Sequence, residues 1–230
     1  MTFLIILICS IIACIALRNP IRRYPVLFYA IAIAIDVVYI YGVIFGMPRA
    51  IWMPFYLLIQ KCTVSLALFI VVMYIGVFSR TSKFSTWLRP IRGELSIIAW
   101  FLALGHVTVY LVSYLPRIFS GMKINVLISF CVALVILALL MVLGITSFKF
   151  VRKRMKTTTW TKIQKWAYVF FMLTYVHLLF ILLPSALAGG TAATLTVCVY
   201  SVIFITYAIL RIIRAQRDHD ELKTSSGEAR

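Results

Sequence analysis

Acidic residues are scarce in this sequence: six Asp and Glu stand against 23 Lys and Arg in 230 residues, which gives a formal net charge of +17. On a soluble chain, such an excess of basic residues would suggest a nucleic-acid partner. Here hydrophobic residues make up 63% of the chain, against about 45–50% in soluble domains. The basic residues cluster at the ends of long apolar runs, an arrangement that encodes orientation in a membrane. We therefore expect a lipid bilayer around the chain and no nucleic acid.

Two kinds of motif are also missing. The five cysteines form no C-x-x-C pair and all lie within apolar runs, which argues against a disulfide framework and against a thiolate metal site. No G-x-G-x-x-G segment follows a predicted strand, so nothing indicates a dinucleotide-binding module.

Seven apolar runs organise the chain, and a run of about 20 residues suffices to cross a bilayer as a helix. They cover residues 2–17, 26–45, 54–78, 92–115, 124–146, 166–183 and 192–213. We predict that Pro184 ends the sixth helix, because proline interrupts helical hydrogen bonding. The predicted fold is an all-α membrane protein, a polytopic bundle of about seven transmembrane helices.

This pattern divides the chain into three parts. Residues 1–25 form an N-terminal transmembrane helix with a basic loop, residues 26–213 form the main transmembrane domain, and residues 214–230 form a polar tail. We expect the tail to be disordered or loosely helical.

The basic residues also predict the orientation of the bundle. In alternate connections, 19 Lys and Arg fall on one side and three on the other, while Lys61 lies inside the third run. Positively charged loops stay in the cytoplasm. We therefore predict a multi-pass protein of the cell membrane with its N-terminus outside and its C-terminus in the cytoplasm.

Two of the three histidines lie inside apolar runs, His106 in the fourth and His177 in the sixth. Titratable groups at that depth are costly and mark functional sites. With a rise of 1.5 Å per residue, His106 lies about 16 Å and His177 about 18 Å from the inner ends of two parallel helices. A b-type haem between helices needs one imidazole on each face of its iron. We predict that His106 and His177 are such a pair.

The neighbours of the two histidines fit the same hypothesis. Gly105 would let a flat macrocycle approach the backbone, and Ala99 and Ala103 would leave room beside it on the His106 face. Phe170 and Phe180 lie on the His177 face and could stack on the ring.

A simpler role for the two histidines is also consistent with the sequence. Each could simply form a hydrogen bond with a hydroxyl on a neighbouring helix, for instance that of Thr174, Thr108 or Ser113, and have no other role. In that case, the protein could be a haem-free transporter or membrane scaffold that uses His106, His177 and Asp36 in a proton or substrate path.

Asp36 and Lys61 are the other ionisable groups inside apolar runs. We favour a structural role for them, either as a buried ion pair or with Lys61 reaching the interface and Asp36 hydrogen-bonded. The alternative is that Asp36 serves as a proton relay or as part of a quinone pocket.

Two sequence blocks resemble the ferric reductase-like transmembrane family. The first is residues 92–111, Arg-Gly-Glu-Leu-Ser-Ile-Ile-Ala-Trp-Phe-Leu-Ala-Leu-Gly-His-Val-Thr-Val-Tyr-Leu, and the second is Thr146-Ser147 followed by residues 160–168 and His177. The likeness covers roughly residues 26–213, a six-helix core to which the first helix looks like an addition. It is nearest to the haem-binding membrane subunits that serve bacterial periplasmic methionine sulfoxide reductases. The resemblance implies that His106 and His177 are the axial ligands of an outer haem b.

The departures from the family pattern concern a second, inner haem. Where the family has another histidine thirteen residues before His177, this chain has Gln164, and the opposite position falls at Arg92 or Gly93. Neither side supplies an imidazole, so we predict one haem rather than two. His219 lies in the polar tail, where we expect it to be solvated.

By resemblance, the chain would be a membrane electron-transfer subunit without flavin or NAD(P)H modules of its own. Its donor would be membrane quinol or a cytosolic flavoprotein, and its acceptor ferric iron, an extracytoplasmic flavoprotein or a reductase. Without an inner haem, a cytosolic donor faces a longer gap, which favours quinol or a bound flavin such as FMN. The basic connection 149–165 encodes topology and could also dock an acidic flavoprotein. The resemblance is also consistent with a role as the membrane component of an oxidoreductase.

Overall fold

The computed structural model describes residues 2–78, 82–118 and 121–227, with side chains described as far as residue 218. Over these residues the chain forms α-helices with short π and 3₁₀ turns and contains no strand. The α-helices are α1 Thr2–Ala16, α2 Arg18–Arg23, α3 Pro25–Phe45, α4 Arg49–Phe55, α5 Thr63–Val77, α6 Lys83–Leu88, α7 Arg92–Tyr114, α8 Ile124–Ser147, α9 Lys149–Arg154, α10 Thr157–Gln164, α11 Trp166–Leu187 and α12 Thr191–Gly227.

Six segments of the described chain are long and apolar enough to cross a membrane, and the shorter apolar helix α1 precedes them. This confirms the predicted all-α polytopic membrane protein. Large apolar side chains cover the outside of the bundle; Val26, Val112 and Ile124, for example, are each about 70% exposed. Such a surface is suited to contact with lipid tails.

The third predicted run differs from one regular helix. After α4 the chain makes a π-helical turn, Tyr56–Gln60, and then breaks at Cys62, which has a left-handed backbone with φ +54°. The hydroxyl of Thr63 donates to the carbonyl of Leu57 at 2.6 Å and so satisfies a backbone acceptor beside the break. Such irregular backbone inside a membrane domain is tolerated where it is buried in protein or lines a cavity.

The prediction that Pro184 ends the sixth helix is wrong, because α11 continues through Pro184 to Leu187. Proline has no N–H to donate to the carbonyl four residues before it, which here is that of Phe180. The side-chain amide of Asn125 on α8 donates to this carbonyl at 3.4 Å. A neighbouring helix therefore satisfies the acceptor, and the helix does not need to stop.

The last helix is longer than the predicted run. Helix α12 extends to Gly227, so the backbone of the predicted polar tail is helical as far as the structure describes it. An ion pair of 2.9 Å between Arg214 and Asp218, one turn apart, supports this continuation. The side chain of His219 lies outside the described residues.

Five long helices form a closed ring. Helix α7 packs on α8, α8 on α11, α11 on α12 and α12 on α5, and α5 packs back on α7. Helix α3 lies against α7 from outside the ring, and α1 lies against α5. At one end, Lys149 forms an ion pair of 2.7 Å with the buried carboxylate of Glu94 and ties the start of α7 to the region after α8. The candidate sites lie inside this ring.

Candidate functional site

His106 is held by the break in the third span. Its Nδ1 atom lies 2.6 Å from the carbonyl oxygen of Gln60, the last residue of the π-helical turn. A regular helix would direct this carbonyl to the N–H of residue 64, but the left-handed backbone of Cys62 interrupts that pattern. Because a carbonyl can only accept, Nδ1 donates, and Nε2 keeps its lone pair.

His177 is held by Ser129 on α8. Its Nδ1 atom lies 3.1 Å from the carbonyl oxygen of Ser129 and 2.9 Å from the hydroxyl of the same residue. With Nδ1 donating to the carbonyl, this imidazole also keeps a lone pair on Nε2. Neither Nε2 has a hydrogen-bond partner within the described part of the chain.

Both histidines line one cavity of about 420 Å³ inside the ring. Both histidines are half-buried. The rest of the lining is largely apolar, with residues such as Ala133, Leu137 and Leu182. A volume of this size is typical of ligand and cofactor sites.

This outer cavity lies near the ends of α7 and α11. Tyr110 and Tyr114 from the last turns of α7 line it together with Val126 from the first turn of α8. A second cavity is lined by residues from the start of α7, the end of α8 and the start of α11. Helices α7 and α11 therefore run in the same direction, as expected from the sequence, and α8 runs against them.

A bis-imidazole haem iron requires two protein ligands with free lone pairs. The second ring nitrogen of a metal-binding histidine normally donates to a carbonyl or a carboxylate, which fixes the tautomer. His106 and His177 have this arrangement, so the residues present fit the group. Among the described side chains, no cluster of three or more His, Cys, Asp or Glu occurs, and a haem held by two imidazoles does not need one.

Gly105 and Asp36 meet at the back of the His106 helix. The backbone N–H of Gly105 donates to Asp36 Oδ2 at 3.0 Å, and a Cβ on Gly105 would overlap the Asp36 carboxylate. The missing side chain of Gly105 therefore lets α3 approach α7. Gly105 does not line the outer cavity.

Ala103 and Phe170 belong to one buried cluster with Trp100 and Leu140. Ala99 is fully buried, and its carbonyl accepts a bond of 2.7 Å from the hydroxyl of Ser65. Of the neighbours expected around the haem, Phe170 lines the second cavity rather than the outer one.

Phe180 is half-buried on α11, one turn beyond His177, and does not line either cavity. The structure therefore brings the two predicted ligands together on one cavity, and none of the five predicted neighbours lines that cavity.

The alternative in which the two histidines only hydrogen-bond to hydroxyl groups can be compared with the contacts in the structure. Thr174, one of the candidates, donates to the carbonyl of Phe170 on its own helix at 2.8 Å. A hydroxyl does contact His177, but it belongs to Ser129 and shares Nδ1 with a carbonyl. This contact leaves Nε2 available.

Asp36 and Lys61 do not form an ion pair in the described structure. Asp36 accepts the N–H of Gly105, and Lys61 is exposed, with its ammonium 5.0 Å from the ring centre of Tyr56 at the outer cavity. This is the arrangement in which Lys61 reaches outward while Asp36 is hydrogen-bonded.

The second cavity, which we call the inner cavity, has a volume of about 450 Å³ and contains the positions at which the family pattern would supply histidines for a second haem. Gln164, Arg92 and Gly93, the residues at the inner-site positions, all line it. The Gln164 amide donates to the hydroxyl of Thr146 at 3.0 Å. No histidine lines this cavity, so its described walls supply no imidazole.

Sequence reasoning missed two residues that hold the histidines. Gln60 acts through its backbone carbonyl, and the adjacent polar pair Gln60-Lys61 in an apolar run was a usable signal of irregular backbone. Ser129 carried no such signal, because single serines are common in transmembrane helices and hydrogen-bond within or between them.

Together, the fold and the cavity define a multi-pass helical membrane protein with two histidines facing one internal space. A sequence profile described as "Ferric reductase like transmembrane component" matches residues 61–175, half of the chain. The chain belongs to this family. The matched segment includes His106 and ends two residues before His177.

An uncharacterized protein of Treponema pallidum (strain Nichols) is 35% identical over 205 residues, which are 87% of this chain and 57% of that protein. The chain thus spans little more than half the length of this relative. No solved structure matches the chain. The predicted nearness to the methionine sulfoxide reductase subunits stays a prediction.

Proposed function

We propose that this chain is a membrane electron-transfer subunit that carries one haem b between His106 and His177. The single observation that carries the proposal is that both imidazoles line one cavity and both use Nδ1 for a backbone carbonyl. Each imidazole would then hold the haem iron through Nε2. When bound, the haem would accept and release one electron at a time.

The protein groups around the cavity have defined tasks in this proposal. The carbonyls of Gln60 and Ser129 fix the tautomer and the orientation of the two ligands. The largely apolar walls exclude water. Lys61, at the cavity with Tyr56, would supply a positive charge for the acidic groups of the haem.

The absence of a histidine from the described lining of the inner cavity supports one haem rather than two. With the basic connections in the cytoplasm, the outer cavity lies toward the side that carries only three basic residues. The haem would then be close to an acceptor outside the cell membrane. That acceptor is ferric iron, an extracytoplasmic flavoprotein or a reductase.

For the donor, we favour membrane quinol or a bound flavin over direct transfer from a distant cytosolic flavoprotein, because a chain with one haem leaves a longer gap to the cytoplasm. A reconstitution experiment can separate these donors. In proteoliposomes that contain the protein and a reduced quinol but no other donor, the haem should become reduced within seconds. A soluble flavoprotein would reduce the haem only if its reductant were present on the side of the basic connections.

The absorption spectrum tests the cofactor itself. Protein purified from haem-replete cells and reduced with dithionite should show sharp haem b bands. His106→Ala and His177→Ala should lose these bands, and Gln164→Ala should keep them. Colourless wild-type protein would contradict the proposal and favour the haem-free transporter or scaffold.

A further inference from the structure

The inner cavity is strongly basic on one side. Its lining includes Arg89, Arg92, Arg152 and Lys165, and no acidic residue lines it. The three acids whose side chains the structure describes are engaged elsewhere: Asp36 with Gly105, Glu94 with Lys149, and Asp218 with Arg214. The cations of this cavity are therefore not neutralised by the described part of the protein.

Arg92 is the most informative of these cations. It is half-buried, and its guanidinium packs over Gly76 of α5, where a Cβ would lie 3.2 Å from Nη2. It has no ion pair or hydrogen bond within the described residues. The hydroxyl of Tyr207 on α12 is also buried and has no hydrogen-bond partner among the described residues. A guanidinium removed from water in this way needs an anion.

The other cations keep donors free as well. The Cζ atom of Arg152 lies 4.3 Å from the ring centre of Trp160, and no hydrogen bond or ion pair among the described residues uses its guanidinium. Arg89 uses one nitrogen for the hydroxyl of Ser85 at 2.9 Å. Lys165 is exposed beside them. Several planar donor groups thus converge on one space, a set that matches the oxygens of a phosphate.

The opposite wall of the cavity is apolar and lies within the bundle. It consists of Phe69, Val72, Met73, Trp100, Leu140, Leu143 and Phe170. A free phosphate ion has no apolar part that could pack against this wall. A ligand with a phosphate at one end and a hydrocarbon body at the other would fill both parts. Basic pockets between transmembrane helices on the cytoplasmic side are known to bind anionic lipid headgroups.

We propose that the inner cavity binds an anionic phospholipid, with its phosphate among Arg89, Arg92 and Arg152 and its chain against the apolar wall. The lipid would join the start of α7 to α9 and α10, the basic connection that follows α8. This site is independent of the haem, because none of its lining residues is a predicted iron ligand.

Binding to delipidated full-length protein in detergent tests the proposal. Thermal unfolding and native mass spectrometry are followed during titration with phosphatidylglycerol, phosphatidylcholine of the same acyl chains, and inorganic phosphate. Phosphatidylglycerol should bind and raise the midpoint of unfolding, and the other two should have little effect. Arg92→Gln and Arg152→Gln should each weaken the apparent affinity for phosphatidylglycerol about fivefold.

Arg154→Gln is the matched control, because Arg154 is an exposed arginine of the same helix as Arg152 and does not line the cavity. Its affinity should stay within about twofold of wild type. Arg152→Gln, which changes an exposed residue, keeps the test valid if Arg92→Gln does not fold. Equal binding of phosphatidylcholine, equal weakening in Arg154→Gln, or wild-type affinity in both cavity variants would overturn the proposal.

An equal response to inorganic phosphate would also overturn it and would indicate a site for soluble phosphate compounds. The haem spectrum is recorded on the same samples. Loss of lipid affinity with unchanged haem bands would separate this site from the proposed electron-transfer function.

Discussion

The Nδ1 atom of His106 donates to the backbone carbonyl of Gln60, 2.6 Å away, across the interface between the broken third span and α7. The carbonyl is available because the chain leaves helical geometry at Cys62, whose φ is +54°. An irregularity in one helix thus fixes the tautomer of a histidine on another.

Replacing Cys62 tests whether the break holds His106. Cys62→Val should destabilise the protein by about 1–2 kcal/mol, because a β-branched residue resists a left-handed backbone. It should also lower the haem content. Cys62→Gly, which accepts this backbone, should stay within about 1 kcal/mol of wild type. Thermal unfolding and the haem spectrum measure both effects.

Cys131→Val is a suitable control, because Cys131 is an exposed residue within α8 and has no such backbone. It should change neither property appreciably. If Cys62→Val behaved like Cys131→Val, the break would have no part in positioning the histidine.

Gly105 provides a steric test of the contact between α3 and α7. Gly105→Ala should cost about 1–3 kcal/mol, because its new Cβ would overlap the buried carboxylate of Asp36. Adding Asp36→Ala should recover part of this loss, since the clashing group is then absent. Unfolding of the two single variants and the double variant, followed in detergent, gives the coupling.

Gly93→Ala is the control on the same helix, because nothing lies within 4 Å of a Cβ built there. It should be neutral or stabilising by up to about 1 kcal/mol, since alanine is the better helix former. Strictly additive effects of Gly105→Ala and Asp36→Ala would be inconsistent with the contact.

The continuation of α11 through Pro184 leads to a prediction about Asn125. Asn125→Ala should cost about 1 kcal/mol, because it leaves the carbonyl of Phe180 without a donor. In a Pro184→Ala background the helix can supply its own N–H, so the same substitution should cost much less. Equal costs in the two backgrounds would show that Asn125 does not serve this carbonyl.

Orientation can be measured by labelling single cysteines in intact cells, after the five native cysteines have been replaced by alanine. A cysteine at position 123 should react with a membrane-impermeant reagent from outside. A cysteine at position 154, in the basic connection, should react only after the cells are permeabilised. This result follows from the excess of Lys and Arg in the connections predicted to be cytoplasmic. The reverse pattern would place the N-terminus in the cytoplasm.

The main features of the fold could be predicted because hydrocarbon thickness and apolar runs determine where helices cross a membrane. The helices of His106 and Asp36 therefore have nearly the predicted bounds. The polar pair Gln60-Lys61 indicates irregular backbone in the third run, but neither the left-handed break at Cys62 nor the passage of α11 through Pro184 could be predicted. Both depend on side-chain hydrogen bonds, from Thr63 and Asn125, that satisfy backbone groups locally.

The candidate site could likewise be predicted only in part from the sequence. Helix spacing predicted that His106 and His177 reach one level, and both line the outer cavity. Spacing along one helix does not tell which neighbour approaches each side chain. For this reason Gly105 lies against Asp36, and Phe170 lies at the inner cavity. The carbonyl of Gln60 could not be selected either, because every residue has one.

Electron paramagnetic resonance of the oxidised protein tests the ligation by His106 and His177 most directly. Ligation by both imidazoles predicts one low-spin ferric haem species per chain, which is lost or becomes high-spin in His106→Ala and in His177→Ala. Gln164→Ala should keep the wild-type signal. A high-spin signal in the wild type, two low-spin species, or a signal unchanged in either histidine variant would contradict this ligation.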